Sequence, residues 1–386
     1  MAVIEGLAAP ATTIFERMSR AAAEAGAINL GQGFPDLADP PELIEAARRA
    51  LSDKSNQYPP MRGLPALRQA IAGFYAREQG LALDEREVLV TSGATEALAA
   101  AILSLVRPGD EVVLVQPLYD AYLPLVERAG GIARFVNLTP PGWTLPLDAL
   151  AAAINDRTRL LILNTPNNPA GSTIDRATLE AVGALAERHN VILLCDEVWE
   201  AMLFEGAAHV SPLAVPALRE RTVKIGSAGK IFSLTGWKVG WACAAPQLVD
   251  TLSASHQFLT FTTPPALQWA VAEGLELPAA WHAAHRARYD GGRARLIAGL
   301  EQAGYVVLPN AATWFVTVDL AASGIAISDM AFCKRSIPEA GVAAIPISSF
   351  YAQDPLTGYV RLCFAKGNDT LDAAVERLAR FRKSLM

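Results

Sequence analysis

The chain has 386 residues, 52% of them apolar, and a formal net charge of −6. That is enough for one large domain plus a smaller one with a substantial core. The acidic balance, with no basic stripe and no interleaved basic–aromatic run, argues against a nucleic-acid-binding surface, while small anionic ligands stay open because local sites can oppose net charge.

The N-terminus carries acidic Glu5 and no basic stretch before an apolar one, so no signal peptide is expected. No run of about 18 apolar residues occurs, so no transmembrane helix is expected either. The stretch to about Pro41 is rich in Gly, Pro and Ala and contains Asn29-Leu30-Gly31-Gln32-Gly33-Phe34-Pro35-Asp36, which is loop chemistry. Short apolar runs then alternate with amphipathic stretches. Strands are predicted at Glu87–Val90, Glu111–Val115, Leu160–Leu163, Val191–Leu194 and Val223–Ile225, with helices over Thr95–Val106 and from near Asp175. This βα alternation implies a largely parallel sheet covered by helices. From Pro264-Pro265 the pattern becomes a long helical stretch, and the last hundred or so residues read as a separate α+β domain with strands at Trp314–Val318 and Tyr359–Phe364.

Ligands of open α/β sheets bind outside the carboxyl ends of the strands. Five strand ends here carry distinctive residues: Thr91-Ser92-Gly93-Ala94-Thr95-Glu96, Gln116-Pro117-Leu118-Tyr119, Asn164-Thr165-Pro166-Asn167-Asn168-Pro169, Asp196-Glu197, and Ser227-Ala228-Gly229-Lys230. Lys230 leaves the end of the predicted Val223–Ile225 strand in a small-residue turn, where an amine can form an imine with an aldehyde. Gly93, Ala94 and Thr95 lie where a strand becomes a helix, so backbone N–H groups can approach a phosphate, with Ser227 and Lys238 completing a cup. A plain helix cap by Ser92 or Thr95 accounts for the same residues. Asp196 closes an apolar run, where a carboxylate needs a partner; a protonated ring nitrogen of pyridoxal phosphate would serve, and so would a structural salt bridge. Asn168 sits in a Pro-bracketed turn, and Tyr119 offers a flat ring face. Arg361 alternates with apolar residues in Tyr359–Phe364, which suits either a substrate carboxylate or an interface ion pair. Trp237, Trp241, Phe34 and Phe261 are candidate walls of an apolar pocket.

Other chemistries find little support. The cysteines, Cys195, Cys243, Cys333 and Cys363, form no Cys-x-x-Cys pair, and the five histidines form no metal set. No Gly-x-Ser-x-Gly elbow occurs, and Gly31-Gln32-Gly33 is no dinucleotide fingerprint. The expected location is a reducing, cytoplasmic one.

Taken together, Ser227-x-x-Lys230 with Thr235-Gly236-Trp237-Lys238, Asn164–Pro169, Asp196-Glu197-Val198 and Arg361 resemble the class I/II aminotransferases of fold type I, in order and over nearly the whole chain. The resemblance implies an α/β large domain with a mostly parallel seven-stranded sheet between helices, over residues 42–275, and a smaller α+β domain formed by segment 1–41 and residues 276–386. It implies pyridoxal 5′-phosphate held by Lys230, which also moves the proton at Cα. Asp196 would pair with the ring nitrogen, Asn168 would contact the ring oxygen and Tyr119 would stack. Gly93, Ala94, Thr95, Ser227 and Lys238 would hold the phosphate. Arg361 and Gly33 would bind the substrate carboxylate, next to Asn168, Phe34 and Phe261. It also implies a homodimer with shared active sites, in which Tyr58 reaches the partner subunit's phosphate. One departure stands out: Trp199 replaces the tyrosine that usually bonds the ring oxygen, and an indole N–H donates but cannot accept. Gly31–Asp36 and His256–Phe261 resemble the kynurenine, glutamine and methionine branch, and no second arginine for an acidic side chain is evident. The expected activity is transfer of an amino group from a neutral amino acid to a 2-oxo acid by ping-pong exchange. A C–S β-lyase on the same fold is the alternative. A non-catalytic sensing module is disfavoured, because no helix-turn-helix signal precedes the fold.

Overall fold

The computed structural model describes residues 13–204 and 206–386; Glu5, on which the signal-peptide expectation rests, lies outside the described residues. The chain divides into two compact units. The larger spans Phe34–Gly291 and Pro309–Phe315; the smaller holds the described residues up to Gly33, then Gly292–Leu308 and Val316–Met386. One division falls at Gly291-Gly292, inside a continuous Ala279–Gln302 helix.

The larger unit is built on seven strands: β1 (Val88–Thr91), β2 (Glu111–Gln116), β3 (Ile132–Asn137), β4 (Thr158–Asn164), β5 (Ile192–Asp196), β6 (Thr222–Ser227) and β7 (Gly240–Cys243). Their spatial order is β1-β7-β6-β5-β4-β2-β3. Every neighbouring pair is parallel except the two that involve β7. The architecture is therefore α/β, a mostly parallel seven-stranded sheet with helices. Strands β1, β2, β5 and β6 are buried throughout, which is why they read as continuous apolar runs. The sequence reading missed β3 and β7. Edge strand β3 mixes exposed and half-buried positions, and β7 is four residues long, with Gly240 and Trp241 at its start.

Helices follow the strands where their signals predict. Asp175 caps Arg176–Arg188, its carboxylate accepting the Thr178 N–H at 2.7 Å. The expected long helical stretch is two helices, Pro265–Leu275 and Ala279–Gln302, interrupted at Pro278. Leu67, Ile71, Phe74, Tyr75, Phe232, Trp241 and Leu275 belong to one buried cluster, each such side chain contributing roughly 1.5–3 kcal/mol on full burial.

In the smaller unit Ile28–Asn29 pairs in parallel with Val342–Ala343, and a second sheet runs Ile345–Pro346, Tyr359–Cys363, Phe315–Asp319, Val306–Val307. The N-terminal segment is tied in further by the Cys363 N–H, which donates to the Leu30 carbonyl at 2.8 Å. Among the described residues, no helix is long and apolar enough to cross a membrane.

Candidate active site

Six of the seven strands run one way, so the carboxyl ends of β1, β2, β4, β5 and β6 share one edge. Register aligns them: Asn164 lies opposite Asp196, Asp196 opposite Ile225, and both Ser227 and Thr91 opposite Gly240. Because β7 runs against the others, it begins where they end. Lys238, two residues before β7, is thereby delivered to the same edge, in a left-handed conformation with φ 53°. This is the physical link between two sequence motifs that spacing alone does not join.

The turn between β1 and its helix is an open cup. Gly93 occupies the N-cap of Ala94–Leu105 with φ 82° and ψ 168°, and no side chain caps the helix. The capping alternative for Ser92 and Thr95 therefore fails. The Ser92 hydroxyl bonds that of Thr263 at 2.9 Å, and the Thr95 hydroxyl is hydrogen-bonded to Tyr119. A Cβ on Gly93 would approach Lys238 Nζ to 3.1 Å, so the absent side chain leaves the ammonium facing uncapped N–H groups. Positive charge, amide donors and a helix dipole there suit an anion. Behind the cup, the first-turn residue Glu96 accepts the Ser92 N–H at 3.0 Å and bonds His256 Nδ1 at 3.0 Å, while His256 Nε2 donates to the Met61 carbonyl at 2.9 Å. Burial pushes the imidazole down, but Glu96 outweighs it, and the pKa of His256 is raised.

Asp196 is buried at the end of β5. Burial pushes its carboxyl above the ordinary value, against the pull of the Tyr122 hydroxyl, the Val198 N–H and the Lys230 charge. Tyr122 donates to Oδ2 at 2.6 Å and the Val198 N–H to Oδ1 at 3.3 Å. Next door, the Asn164 amide donates to the Asp196 carbonyl at 2.9 Å, and its own oxygen accepts the Asn168 N–H at 2.7 Å, which fixes the Asn168 turn beside the acid. The Tyr119 ring meets Tyr122 edge-on at 5.7 Å. Burial raises the Tyr119 phenol, so it stays protonated.

Lys230 lies on the one-turn helix Ala228–Ile231 that follows Ser227. Its Nζ is 5.1 Å from the centre of the Trp199 ring and 5.5 Å from that of Trp314. Trp199 packs edge-on against Trp314 at 4.8 Å and Phe315 at 5.5 Å. Trp314 was read from the sequence only as the start of a strand; it reaches the lysine because Leu203 bridges Ala312 and the Thr313 N–H donates to the Met202 carbonyl at 3.0 Å. Tyr122 was also missed, and its only signal is the three-residue spacing from Tyr119.

Of the proposed aromatic walls, Phe34 and Phe261 are 49% and 41% exposed, and Phe261 meets the ring of Tyr58 edge-on at 5.6 Å. Trp241 is not a pocket wall. It is fully buried in the core, with its indole donating to Tyr75 Oη at 2.8 Å. Trp237 is partly buried against the same core. Gly33 and Arg361 belong to the smaller unit. There Arg361 is buried, its guanidinium 5.2 Å from the rings of both Phe15 and Phe350, with Nη2 donating to the Gly31 carbonyl at 2.6 Å.

A buried ion network supports the strand ends from behind. Lys224 of β6 bonds Glu197 at 2.6 Å and also Glu200. Glu197 further binds His209 at 2.7 Å and Ser211 at 3.0 Å; Glu200 accepts from Tyr75 and Gln79, each at 2.6 Å. Burial pushes the Glu197 carboxyl up, yet Lys224 and His209 hold it below its ordinary value. Glu197, Glu200 and His209 have the composition of a metal site, with ligand atoms within 4.8 Å, but the Lys224 ammonium already bridges the two carboxylates.

The cup fits a phosphate, and the buried acid three strands away fits a protonated ring nitrogen, with a lysine amine between them in the strand order. Comparison with known proteins agrees. The family model for aminotransferase class I and II matches residues 25–378. A probable N-succinyldiaminopimelate aminotransferase of Mycobacterium tuberculosis is 43% identical over 383 residues, covering 96% of each chain. The solved structure of the M. tuberculosis N-succinyldiaminopimelate aminotransferase superposes with a TM-score of 0.92 at 43% identity, over 96% of this chain and 97% of that one. Methionine aminotransferase of Escherichia coli is 41% identical over 95% of each chain, and the crystal structure of an E. coli methionine aminotransferase gives a TM-score of 0.94 at 40% identity, over 98% and 100% of the two chains. Human kynurenine–oxoglutarate transaminase 1 is 35% identical over 94% of each chain. This chain belongs to the class I and II aminotransferases and is a pyridoxal 5′-phosphate-dependent aminotransferase.

Proposed function

We propose that the enzyme moves the amino group of a neutral L-amino acid, with a sulfur-containing, glutamine-like or aromatic side chain, to a 2-oxo acid by ping-pong exchange. The observation that supports this reading is the shared sheet edge at which the strands leading to Lys230, Asp196 and the Gly93 cup end. Bound pyridoxal phosphate supplies an electron sink for the pair left at Cα when its proton departs. The chain's own residues do the rest. Lys230 holds the cofactor and carries the Cα proton as general base and then general acid. Asp196 keeps a ring nitrogen charged, Asn168 donates to the ring oxygen, and Tyr119 covers one ring face. Gly93, Ala94, Thr95, Ser227 and Lys238 bind the phosphate. Trp199 walls the lysine side of the pocket.

In the smaller unit Arg361 takes the substrate α-carboxylate together with Gly33. The two phenyl rings beside its guanidinium and the Gly31 carbonyl hold the fork in place before substrate arrives. Phe34 and Phe261 offer apolar surface to the substrate side chain and so support a neutral donor. The methionine and kynurenine activities in the names of two relatives point the same way.

We also read the protein as a homodimer in which Tyr58 reaches the partner subunit's phosphate. Tyr58 and Phe258 are 83% and 84% exposed, an apolar display that a second copy would cover. The four cysteines are buried free thiols, which supports a cytoplasmic location.

A single-turnover screen of twenty amino acids, following the absorbance of the bound cofactor, tests the reading. Methionine, glutamine, kynurenine and aromatic donors should convert it, and Lys230→Ala should abolish both the lysine-linked absorbance and transfer. N-succinyldiaminopimelate turning over while the neutral donors stay inert would overturn the substrate class. Pyruvate released from cystathionine without any 2-oxo acid would indicate β-lyase chemistry.

A further inference from the structure

Tyr122 joins the buried acid to the ring-stacking tyrosine. It opens the Tyr122–Arg128 helix just after β2, is 2% exposed, and donates to Asp196 Oδ2 at 2.6 Å while its ring supports Tyr119 edge-on at 5.7 Å. Burial and the neighbouring Asp196 charge push its phenol well above the ordinary value, so the hydroxyl keeps its proton. A phenol aimed to donate at a carboxylate oxygen favours the ionised acid, because a hydrogen bond to an ionised acceptor is stronger than one shared with the neutral acid.

We propose that Tyr122 is a positioning residue whose hydroxyl keeps the proton off Asp196 and on the ring nitrogen of the bound cofactor. The inference rests on the reading that pyridoxal phosphate lies at this edge with its nitrogen at Asp196. Burial alone favours a neutral acid, and a neutral acid cannot pair with a protonated nitrogen. The other groups acting on Asp196 do not replace Tyr122. Lys230 favours the anion, but its amine is committed to the cofactor. Glu197, adjacent on the chain, disfavours the anion. Tyr119 and Cys195 are themselves raised by burial and stay neutral. The Val198 N–H, at 3.3 Å, is the longer of the two donors and serves the other oxygen.

The test loads wild type and Tyr122→Phe with pyridoxal phosphate labelled with nitrogen-15 in the ring, and reads the nitrogen shift by NMR beside the carbon-13 shift of the Asp196 carboxyl. In wild type the ring nitrogen should read protonated and the acid ionised at neutral pH. In Tyr122→Phe the proton moves toward Asp196, and the ratio of ring-protonated to acid-protonated forms falls by about ten- to a hundredfold, the equivalent of one hydrogen bond to a charged group. Tyr122→His, which retains a ring N–H donor, should return both shifts toward wild type, an effect that packing alone would not produce. Tyr122→Leu is the second non-donating variant should Phe fail to fold. Wild-type shifts in a non-donating variant overturn the proposal. A wild-type protein that takes up the cofactor with an unprotonated nitrogen, or does not take it up, overturns the underlying reading instead.

Discussion

Replacing Lys224 by methionine tests how the strand ends are held. The Lys224 side chain is fully buried and bonds two carboxylates that are themselves buried. Burial pushes its ammonium down, but Glu197 and Glu200 outweigh it, so the lysine is charged. Methionine keeps most of the volume and removes the charge, leaving two buried carboxylates without their shared cation. Removing one partner of a buried pair costs about 3–5 kcal/mol. Here the cost should fall near the lower end, about 3 kcal/mol, because Glu197 keeps His209 and Ser211 while Glu200 keeps Tyr75 and Gln79. Urea unfolding of wild type, Lys224→Met and Lys224→Met/Glu200→Gln measures it. The double variant should recover part of the loss, because one orphaned charge has been removed. A single variant within about 1 kcal/mol of wild type, or a double variant less stable than the single one, would refute the reasoning. Cofactor affinity should fall with stability in the single variant, since Glu197 and Glu200 adjoin Asp196 and Trp199 in the chain.

Other predictions concern the cup and the exposed aromatics. Gly93→Ala places a Cβ in a backbone conformation costing about 1–3 kcal/mol and presses it against Lys238, so affinity for pyridoxal phosphate should fall at least about tenfold while that for pyridoxal changes little. His256 has a raised folded pKa, so its pairing with Glu96 stabilises fully below the unfolded value of about 6.5 and is lost as pH rises through the folded value. Thermal unfolding between about pH 6 and about pH 9 should therefore show a downward slope with pH that His256→Gln flattens. Phe258→Asp should shift the protein toward monomer in sedimentation, and an unchanged sedimentation profile would remove this surface from the dimer reading.

The residues proposed for the chemistry were legible because each lies at or just beyond the end of a buried strand, and buried strands announce themselves as apolar runs. Lys230, Asp196, Asn168 and the Gly93 turn stand out because small, charged or turn-forming residues interrupt those runs at their carboxyl ends. What each residue faces was not legible. The single reversed strand brings Lys238 to Gly93, and a pairing direction has no signature within four residues. Trp314 reaches Lys230 through backbone bonds that span more than a hundred positions, while Trp241, equally aromatic and equally buried, donates to Tyr75 instead. Tyr122, Lys224 and Glu200 carry no distinctive local signal; only folding makes Tyr122 a partner of Asp196 and Lys224 a partner of Glu197 and Glu200. Sequence thus determined five of the seven strands and the distinctive residues at their carboxyl ends, because these follow from local pattern. The tertiary structure decided which charges are paired, which donors are aimed and which aromatics wall the lysine, because those energies depend on distances that no local pattern encodes.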